Sequence, residues 1–161
     1  MGSGKSTVGR ALARRLGAAH VDTDDLVTNA AGAPIAEIFE RDGEVVFRTL
    51  ETAALTEALA SPGVVSTGGG IVVTPANRAL LRDVDVFVVW LDGSIDALTT
   101  RVGSGRGRPL LHGDVRAALR EKIAERNPGY LEVADLRVDT TAMRHVDCVD
   151  AIVAAMEGVS A

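Results

Sequence analysis

The first residues of the chain combine types and spacings that suit the binding of a nucleotide phosphate. Gly2-Ser3-Gly4-Lys5-Ser6-Thr7 matches the second half of the pattern G-x-x-x-x-G-K-[ST]. In that pattern glycines let backbone N–H groups turn toward phosphate oxygens, and the helix that follows directs the positive end of its dipole at them. We therefore expect Lys5 to reach the β- and γ-phosphates of ATP and the Ser6 hydroxyl to ligate Mg²⁺.

The same residues have a simpler interpretation, which is a Gly-Ser turn that caps a helix. The first glycine of the full pattern would lie five positions before Gly4, so the pattern is present only in part. The motif therefore needs support from residues elsewhere in the chain.

Two carboxylates follow a short apolar segment, residues 18–21, that we predict to be a strand. Asp22 and Asp24 are two positions apart, so both side chains would face the same way if the extended conformation continues. Ligands collect at the carboxyl ends of strands in open parallel sheets. The pair therefore suits a metal ion or an acceptor hydroxyl, and the alternative is that residues 22–25 only cap the next helix.

Arginines and glycines supply the other candidate binding groups. Arg48 and Arg126 lie in predicted helices, and a guanidinium group can bind a carboxylate through two hydrogen bonds. Glu51, three positions after Arg48, would orient it. The run Gly68-Gly69-Gly70 follows a predicted strand, where its backbone could approach a ligand closely. The alternatives are solvated helical arginines and a tight turn from strand to helix.

The segment 101–113 has the composition of a charged flap. It contains four glycines and three arginines, which are Arg101, Arg106 and Arg108. Glycines provide hinges and arginines can neutralise phosphate charge when a flap closes. An ordinary surface loop is the alternative.

Short apolar segments alternate with amphipathic ones along the whole chain, which predicts an α/β domain with a parallel sheet. The predicted strands are residues 18–21, 63–67, 84–91 and 135–139. The predicted helices are residues 5–16, 26–31, 34–41, 45–59, 75–81, 94–101, 115–126 and 146–159. In this arrangement the candidate groups lie at strand ends and on the adjoining helices.

Composition limits the kinds of partner that we expect. The 161 residues are 47% hydrophobic, which is enough for one domain with its own core. A net charge of −5 disfavours nucleic acid and membrane surfaces as partners, and one cysteine allows no disulfide framework. With no long apolar run and no leader-like pattern, we expect a cytoplasmic protein. His20, His112 and His145 lack metal-binding spacing, and we expect Cys148 and Trp90 to pack in the core.

Taken in order, the motifs resemble those of the shikimate kinase family over nearly the whole chain. The matching residues are Gly2 to Thr7, Asp22-Thr23-Asp24, Asp42-Gly43-Glu44 with Phe47-Arg48 and Glu51, Gly68-Gly69-Gly70, Arg108-Pro109-Leu110-Leu111, and Arg126 near Tyr130. The resemblance implies a P-loop fold like that of nucleoside monophosphate kinases, with a parallel five-stranded sheet flanked by helices. It implies a single domain over residues 1–161, a substrate-binding helical region at about 26–60 and a mobile lid at about 103–113.

The resemblance also implies an activity and a role for each matching residue. The γ-phosphoryl group of ATP would pass to the 3-hydroxyl of shikimate, a step of aromatic amino acid biosynthesis, in a monomeric enzyme that uses Mg²⁺. The implied catalytic residues are Lys5, Asp24 and Arg108, and the implied metal ligands are Ser6 and Asp22. ATP would contact Gly2, Ser3, Gly4, Lys5, Ser6, Thr7, Arg101 and Arg108. Shikimate would contact Asp24, Arg48, Gly68, Gly69, Gly70 and Arg126.

The chain departs from the family pattern in lacking the strand before the phosphate loop, which is central in the family sheet. Loss of a central strand removes two ladders of hydrogen bonds, a loss that can exceed a domain's stability of about 5–15 kcal/mol. We expect a chain that begins at Met1 to fold poorly and turn over little, and we favour a start codon assigned too late. Two alternative functions stay open: a related kinase for another acceptor such as gluconate, or a nucleotide-binding remnant without catalysis.

Overall fold

The computed structural model describes residues 2–103 and 114–159, in which four strands alternate with helices. The strands are β1 (His20–Asp22), β2 (Val64–Ser66), β3 (Val89–Asp92) and β4 (Leu136–Asp139). The helices are α1 (Lys5–Leu16), α2 (Thr23–Ala31), α3 (Ile35–Arg41), α4 (Gly43–Leu59), α5 (Pro75–Asp83), α6 (Ile95–Val102), α7 (Val115–Val133) and α8 (His145–Val159), with a 3₁₀ turn at Ile71–Val73.

The strands form two separate parallel pairs. β1 pairs with β2, with His20 opposite Val64, and β3 pairs with β4, with Val89 opposite Leu136. Within the described residues no strand joins the two pairs. The prediction of a parallel α/β fold is therefore confirmed.

Helix α1 has the predicted bounds, because glycines in the left-handed conformation terminate it at both ends. Gly4 precedes it with φ +87°, and Gly17 follows it with φ +64°. Its buried stripe, which includes Val8 and Leu12, packs against Ile152 of α8 and forms one core cluster with it. The cluster fixes the start of α1 relative to the strands.

Two further apolar clusters position the helices around the site. The first joins α2, α3 and α4 through Val27, Ile38 and Phe47. The second joins α4, α5 and α7 with the 3₁₀ turn through Leu55, Val72, Leu81 and Val133. Residues from these helices can therefore converge on one side of the strands.

The sequence predictions for the start of β3 and for the end of α7 are wrong. Residues 84–88 do not extend β3, because Val86 N–H bonds to Val84 O in a tight turn. Helix α7 continues beyond Arg126 to Val133, past Pro128. A proline inside a helix costs about 3 kcal/mol, and the burial of Val133 in the α4–α5–α7 cluster offsets part of that cost.

Helix α4 buries a glutamate among apolar residues on its core face. The buried residues are Phe47, Glu51, Ala54, Leu55 and Ala58, whereas Val46 is 43% exposed. Cys148 and Trp90 are buried as predicted.

No helix in the described ranges is both long enough and apolar enough to cross a membrane.

Candidate active site

The start of the chain forms a loop whose glycines adopt left-handed conformations. Gly2 has φ +75° and Gly4 has φ +87°, values that side chains with a Cβ rarely adopt. Gly4 O accepts hydrogen bonds from Thr7 N–H and Val8 N–H, which starts α1. Gly4 has no side chain that could cap the helix, so the first N–H groups of α1 are directed at the site beside Lys5 and Ser6. This arrangement suits a bound phosphate.

Ser6 and Asp22 meet at the end of β1. The Ser6 hydroxyl donates to Asp22 Oδ2 at 2.7 Å, and Asp22 Oδ1 accepts from Asp24 N–H at 3.1 Å. Asp22 is thus the N-cap of α2, as the capping alternative anticipated. The extended conformation does not continue from Asp22 to Asp24, because α2 begins at Thr23 and places Asp24 in its first turn.

Asp24 lies in an environment that favours its protonated form. Burial raises its pKa above the usual carboxyl value, as do the negative charges of Asp22 and Asp25, while Lys5 acts in the opposite direction. A Cβ on Gly68 would lie 2.8 Å from Asp24 Oδ1, so the carboxylate directly faces the glycine run. A carboxylate with raised proton affinity is suited to accept a proton from a bound hydroxyl.

Arg48 is held by two glutamates. Its Nη1 donates to Glu51 Oε2 at 2.7 Å and its Nη2 donates to Glu44 Oε1 at 2.8 Å. Glu51 is only 1% exposed, and burial raises its pKa while Arg48 lowers it. The predicted contact from Glu51 to Arg48 is confirmed, and it orients the guanidinium toward Gly70, where an added Cβ would lie 2.9 Å from Arg48 Cζ.

Two residues outside the predicted set anchor the glycine run. Thr23 Oγ1 accepts from Gly68 N–H at 3.3 Å, and the Tyr130 hydroxyl donates to Gly69 O at 2.6 Å. Tyr130 also stacks on Trp90 with ring centroids 5.3 Å apart. The sequence offered a signal for Tyr130, which lies one helical turn after Arg126 and so shares its face of α7.

Arg126 is a buried cation next to the Arg48–Glu51 pair. It is 5% exposed, and its charge lowers the pKa of Glu51. Within the described residues its Nε has no hydrogen-bond partner. A buried guanidinium with an unpaired donor is suited to an anionic ligand, because leaving the group unpaired costs about 1–3 kcal/mol or more.

Of the two arginines expected to contact ATP, Arg101 lies within the described residues. Arg101 donates to Thr140 Oγ1 at 3.0 Å and to Thr140 O at 2.6 Å, so it holds the loop between β4 and α8. Arg108 and the rest of the predicted lid after Gly103 lie outside the described residues. A residue missed by the sequence analysis is His145, whose Nε2 lies 3.3 Å from where a Cβ on Gly4 would be.

The residues present fit a magnesium ion better than a metal held entirely by protein. In the part of the chain that the structure describes, no three His, Cys, Asp or Glu side chains are grouped to hold a metal. Ser6 and Asp22 offer neighbouring oxygen ligands at the phosphate loop. Mg²⁺ is commonly bound through one or two protein oxygens together with water and phosphate oxygens.

Comparison with protein families identifies the chain. The family model described as shikimate kinase matches residues 1–157. The chain belongs to the shikimate kinase family. Shikimate kinase from Geobacter sulfurreducens is 46% identical over 154 residues, which cover 94% of this chain and 84% of that protein. Shikimate kinase from Halorhodospira halophila is 44% identical over 160 residues, covering 98% of this chain and 90% of that protein.

Solved shikimate kinases share the fold. The enzyme from Acinetobacter baumannii in complex with shikimate superposes with a TM-score of 0.93 at 36% identity, covering 98% of this chain and 89% of that one. The enzyme from Aquifex aeolicus gives a TM-score of 0.85 at 31% identity, covering 99% and 94%. The chain therefore has the P-loop architecture that solved shikimate kinases share.

Proposed function

We propose that this chain transfers the γ-phosphoryl group of ATP to the 3-hydroxyl of shikimate. Membership of the shikimate kinase family supports the reaction class. The observation that carries the choice of acceptor is Arg126, buried with an unpaired Nε beside the Arg48–Glu51 pair. Two adjacent guanidinium groups in a buried cleft suit the carboxylate of a small acid.

In this proposal the acceptor lies between the glycine run and the first turn of α2. Its carboxylate is bound by Arg48 and Arg126, while Gly68, Gly69 and Gly70 allow the ring to approach the backbone closely. Asp24 then faces the hydroxyl that reacts. Binding the acid group at a fixed distance from Asp24 orients one hydroxyl toward the phosphate loop, which lowers the entropic barrier to transfer.

The chemical step requires one proton transfer and one phosphoryl transfer. Asp24 accepts the proton of the 3-hydroxyl as that oxygen forms a bond to the γ-phosphorus, and the bond to the β,γ-bridging oxygen breaks to release ADP. Lys5, the N–H groups of residues 2–7 and Arg108 stabilise the charge on the phosphate oxygens. Mg²⁺, held by Ser6 and Asp22, would neutralise part of that charge. Arg101 lies beside the adenine in this assignment.

We further propose one domain over residues 1–161, with the acceptor-binding region at about 26–60 and a lid at about 103–113. The apolar cluster that joins α2, α3 and α4 supports the first region, because it makes these helices one packed unit. We also propose a monomer in the cytoplasm, and a single, buried cysteine supports the reducing compartment.

An acceptor panel tests the proposed function. ADP formation would be measured with shikimate, with gluconate and without acceptor, at equal ATP and Mg²⁺ concentrations. We expect ADP release that depends on shikimate and exceeds the rate with gluconate by at least about 10³-fold, since shikimate is cyclic and gluconate is an open chain, so their hydroxyls lie differently relative to the carboxylate. Equal rates of ADP release with both acids, or an equal rate with and without an acceptor, would contradict the proposal.

Replacing Arg48 by lysine is expected to weaken acceptor binding selectively. Lysine keeps the charge but loses the planar pair of donors, and a hydrogen bond to a charged group contributes about 1.5–3 kcal/mol. The KM for shikimate should rise about 10- to 100-fold while the KM for ATP stays within about 3-fold. The matched control is Arg41→Lys, an exposed arginine paired with Asp42. Equal rises in the KM for shikimate and the KM for ATP would show that Arg48 does not bind the acceptor specifically.

Adding one methyl group at Gly70 is expected to have the same selectivity. Gly70 has φ −100°, which alanine adopts readily, so the effect of Gly70→Ala comes from space alone. Its Cβ would crowd the Arg48 guanidinium, which Glu44 and Glu51 hold in place. The KM for shikimate should rise about 10-fold. Gly158→Ala, where an added Cβ meets no atom within 4 Å, is the control. An unchanged KM would mean that this glycine does not border the acceptor.

A further inference from the structure

The glycine run after β2 forms a β-turn whose central peptide has two accessible orientations. Ile71 N–H donates to Gly68 O at 3.2 Å, which closes a four-residue turn over residues 68–71. Gly70 has φ −100° and ψ 0°, values typical of a type I turn. A type II turn reverses the central peptide and needs φ of about +80° at this position, which glycine adopts readily. The sequence of the turn therefore permits both forms.

Tyr130 contacts the one peptide that differs between the two forms. Its hydroxyl donates to Gly69 O at 2.6 Å, and this oxygen belongs to the peptide that joins Gly69 to Gly70. In a type II turn the same carbonyl would point the opposite way and the bond would be lost. Burial raises the pKa of Tyr130, so the hydroxyl stays protonated and can donate. The hydrogen bond therefore favours the type I form.

Packing fixes the position of the Tyr130 ring. The ring stacks on Trp90, with an angle of 19° between the two planes. Trp90 is itself held by Arg137, whose Cζ lies 4.7 Å from the centroid of the Trp90 ring. A Cβ on Gly129 would lie 2.9 Å from Val72 O, so α7 packs closely on the 3₁₀ turn that follows the glycine run. The hydroxyl is therefore held at a set place beside the turn.

Fixing the central peptide also fixes the direction of Gly70 N–H. The C=O and N–H of a trans peptide point in opposite directions, so Gly70 N–H points away from Tyr130. Gly70 is buried, and within the described residues its N–H donates no hydrogen bond, although buried backbone donors usually have a partner. Arg48 Cζ lies 2.9 Å from where a Cβ on Gly70 would be. This N–H is therefore suited to a polar or anionic group bound beside Arg48.

Other residues hold the ends of the turn and leave its centre to Tyr130. Thr23 Oγ1 accepts from Gly68 N–H at 3.3 Å, and the buried Asn77 donates through Nδ2 to Ile71 O at 3.1 Å. In the part of the chain that the structure describes, only Tyr130 bonds to the peptide between Gly69 and Gly70. The orientation of that peptide therefore depends on one hydroxyl.

We propose that Tyr130 is a positioning residue, which holds the glycine turn in the type I form and so directs Gly70 N–H toward the acceptor. The role rests on the proposed function, because it is exerted on the acceptor of phosphoryl transfer. Tyr130 acts through the backbone of the turn, and its contribution is to the binding of the acceptor and not to the chemical step.

The Tyr130→Phe variant tests this role, because phenylalanine keeps the ring and removes only the hydroxyl. In steady-state kinetics the KM for shikimate should rise about 3- to 10-fold, the usual effect of one neutral hydrogen bond. The KM for ATP and kcat should stay within about 3-fold. The matched control is Thr100→Val, which removes an exposed hydroxyl that donates to Asp96 O. It should leave both KM values within about 2-fold.

A second substitution separates control of the turn from simple packing. Alanine rarely adopts the positive φ that a type II turn requires, so Gly70→Ala keeps the turn in the type I form without help from the hydroxyl. Relative to the Gly70→Ala chain, adding Tyr130→Phe should raise the KM for shikimate by less than about 2-fold. A residue that only packs would have the same effect in both backgrounds.

NMR without acceptor keeps this role distinguishable from the proposed function. In a chain labelled with ¹⁵N-glycine, Tyr130→Phe should shift or broaden the amide signals of Gly69 and Gly70 and leave that of the exposed Gly158 unchanged. Unchanged signals from both turn glycines, an unchanged KM for shikimate, or an equal rise in both backgrounds would overturn the proposal. If these signals changed as expected in a chain whose parent showed no shikimate-dependent turnover, the hold on the turn would be supported and the proposed function would fail.

Discussion

The Asp24→Asn variant is expected to lose about 10²- to 10⁴-fold in kcat and yet to unfold at a higher temperature than the parent chain. The loss in kcat follows from removal of the group that accepts the hydroxyl proton. The gain in stability follows from the site itself, where burial and the charges of Asp22 and Asp25 disfavour the ionised carboxylate. An amide resembles the protonated form and avoids that cost.

The sign of the pH dependence follows from the raised pKa of Asp24. A carboxyl whose folded-state pKa is raised contributes stability below its unfolded pKa, and the contribution is lost as pH rises through the folded value. The variant's advantage in unfolding temperature should therefore be present at pH 7.5 and should shrink as the pH approaches the usual carboxyl pKa. In the parent chain kcat/KM should fall on the acid side with an apparent pKa above the usual carboxyl range.

Asp25→Asn is the control, because Asp25 is the exposed neighbour of Asp24 on the same helical turn. It should change kcat by less than about 3-fold. If Asp24→Asn kept parental kcat, or if both variants lost activity equally, Asp24 would not be the proton acceptor. A lower unfolding temperature at pH 7.5 would contradict the electrostatic account of its environment.

The Lys5→Met variant is expected to lose about 10²- to 10³-fold in kcat, the usual effect of removing one preorganised donor from developing charge. Methionine is also unbranched, so the change mainly removes the ammonium group. The charge of Lys5 lowers the pKa of Asp24 in the parent chain. Removal of that charge should therefore shift the fall of kcat/KM on the acid side of the profile, its acid limb, to higher pH. Steady-state kinetics from pH 5 to 9 measure both effects.

Arg14→Met is the control on the same helix, since Arg14 is exposed in the last turn of α1. It should leave kcat and the pH profile within about 2-fold of the parent values. If the Lys5→Met variant kept the parental kcat, Lys5 of the phosphate loop would not stabilise the transferred phosphoryl group as proposed. A lowered kcat with an unmoved acid limb would contradict only the coupling between Lys5 and Asp24.

The sequence predicted best where local rules and tertiary packing agree. The bounds of α1 follow from glycines at both ends and an apolar stripe between them. The parallel pairing follows from strands separated by helices, and the contact between Arg48 and Glu51 follows from their spacing on one helix face. In each case the signal lies within a few residues of the feature that it predicts.

The sequence predicted less well where distant contacts decide. Nothing local shows that α7 continues through Pro128, because the burial of Val133 that offsets part of the proline's cost depends on residues far apart in the chain. Whether the extended conformation continues to Asp24 was left open by the sequence, because the cap formed by Asp22 and the strand signal before it compete over the same residues. The role of Tyr130 depends on its hydroxyl reaching Gly69, which only the fold brings near.

The position of the phosphate in the product tests the central claim most directly. The claim is that Arg48 and Arg126 bind the acid group so that one hydroxyl of shikimate faces Asp24 and the phosphate loop. Phosphorus and proton NMR of the product would identify the phosphorylated carbon. We predict a single phosphate ester at the 3-hydroxyl. An ester at another hydroxyl, a mixture of esters, or ADP without a phosphorylated acceptor would contradict the account.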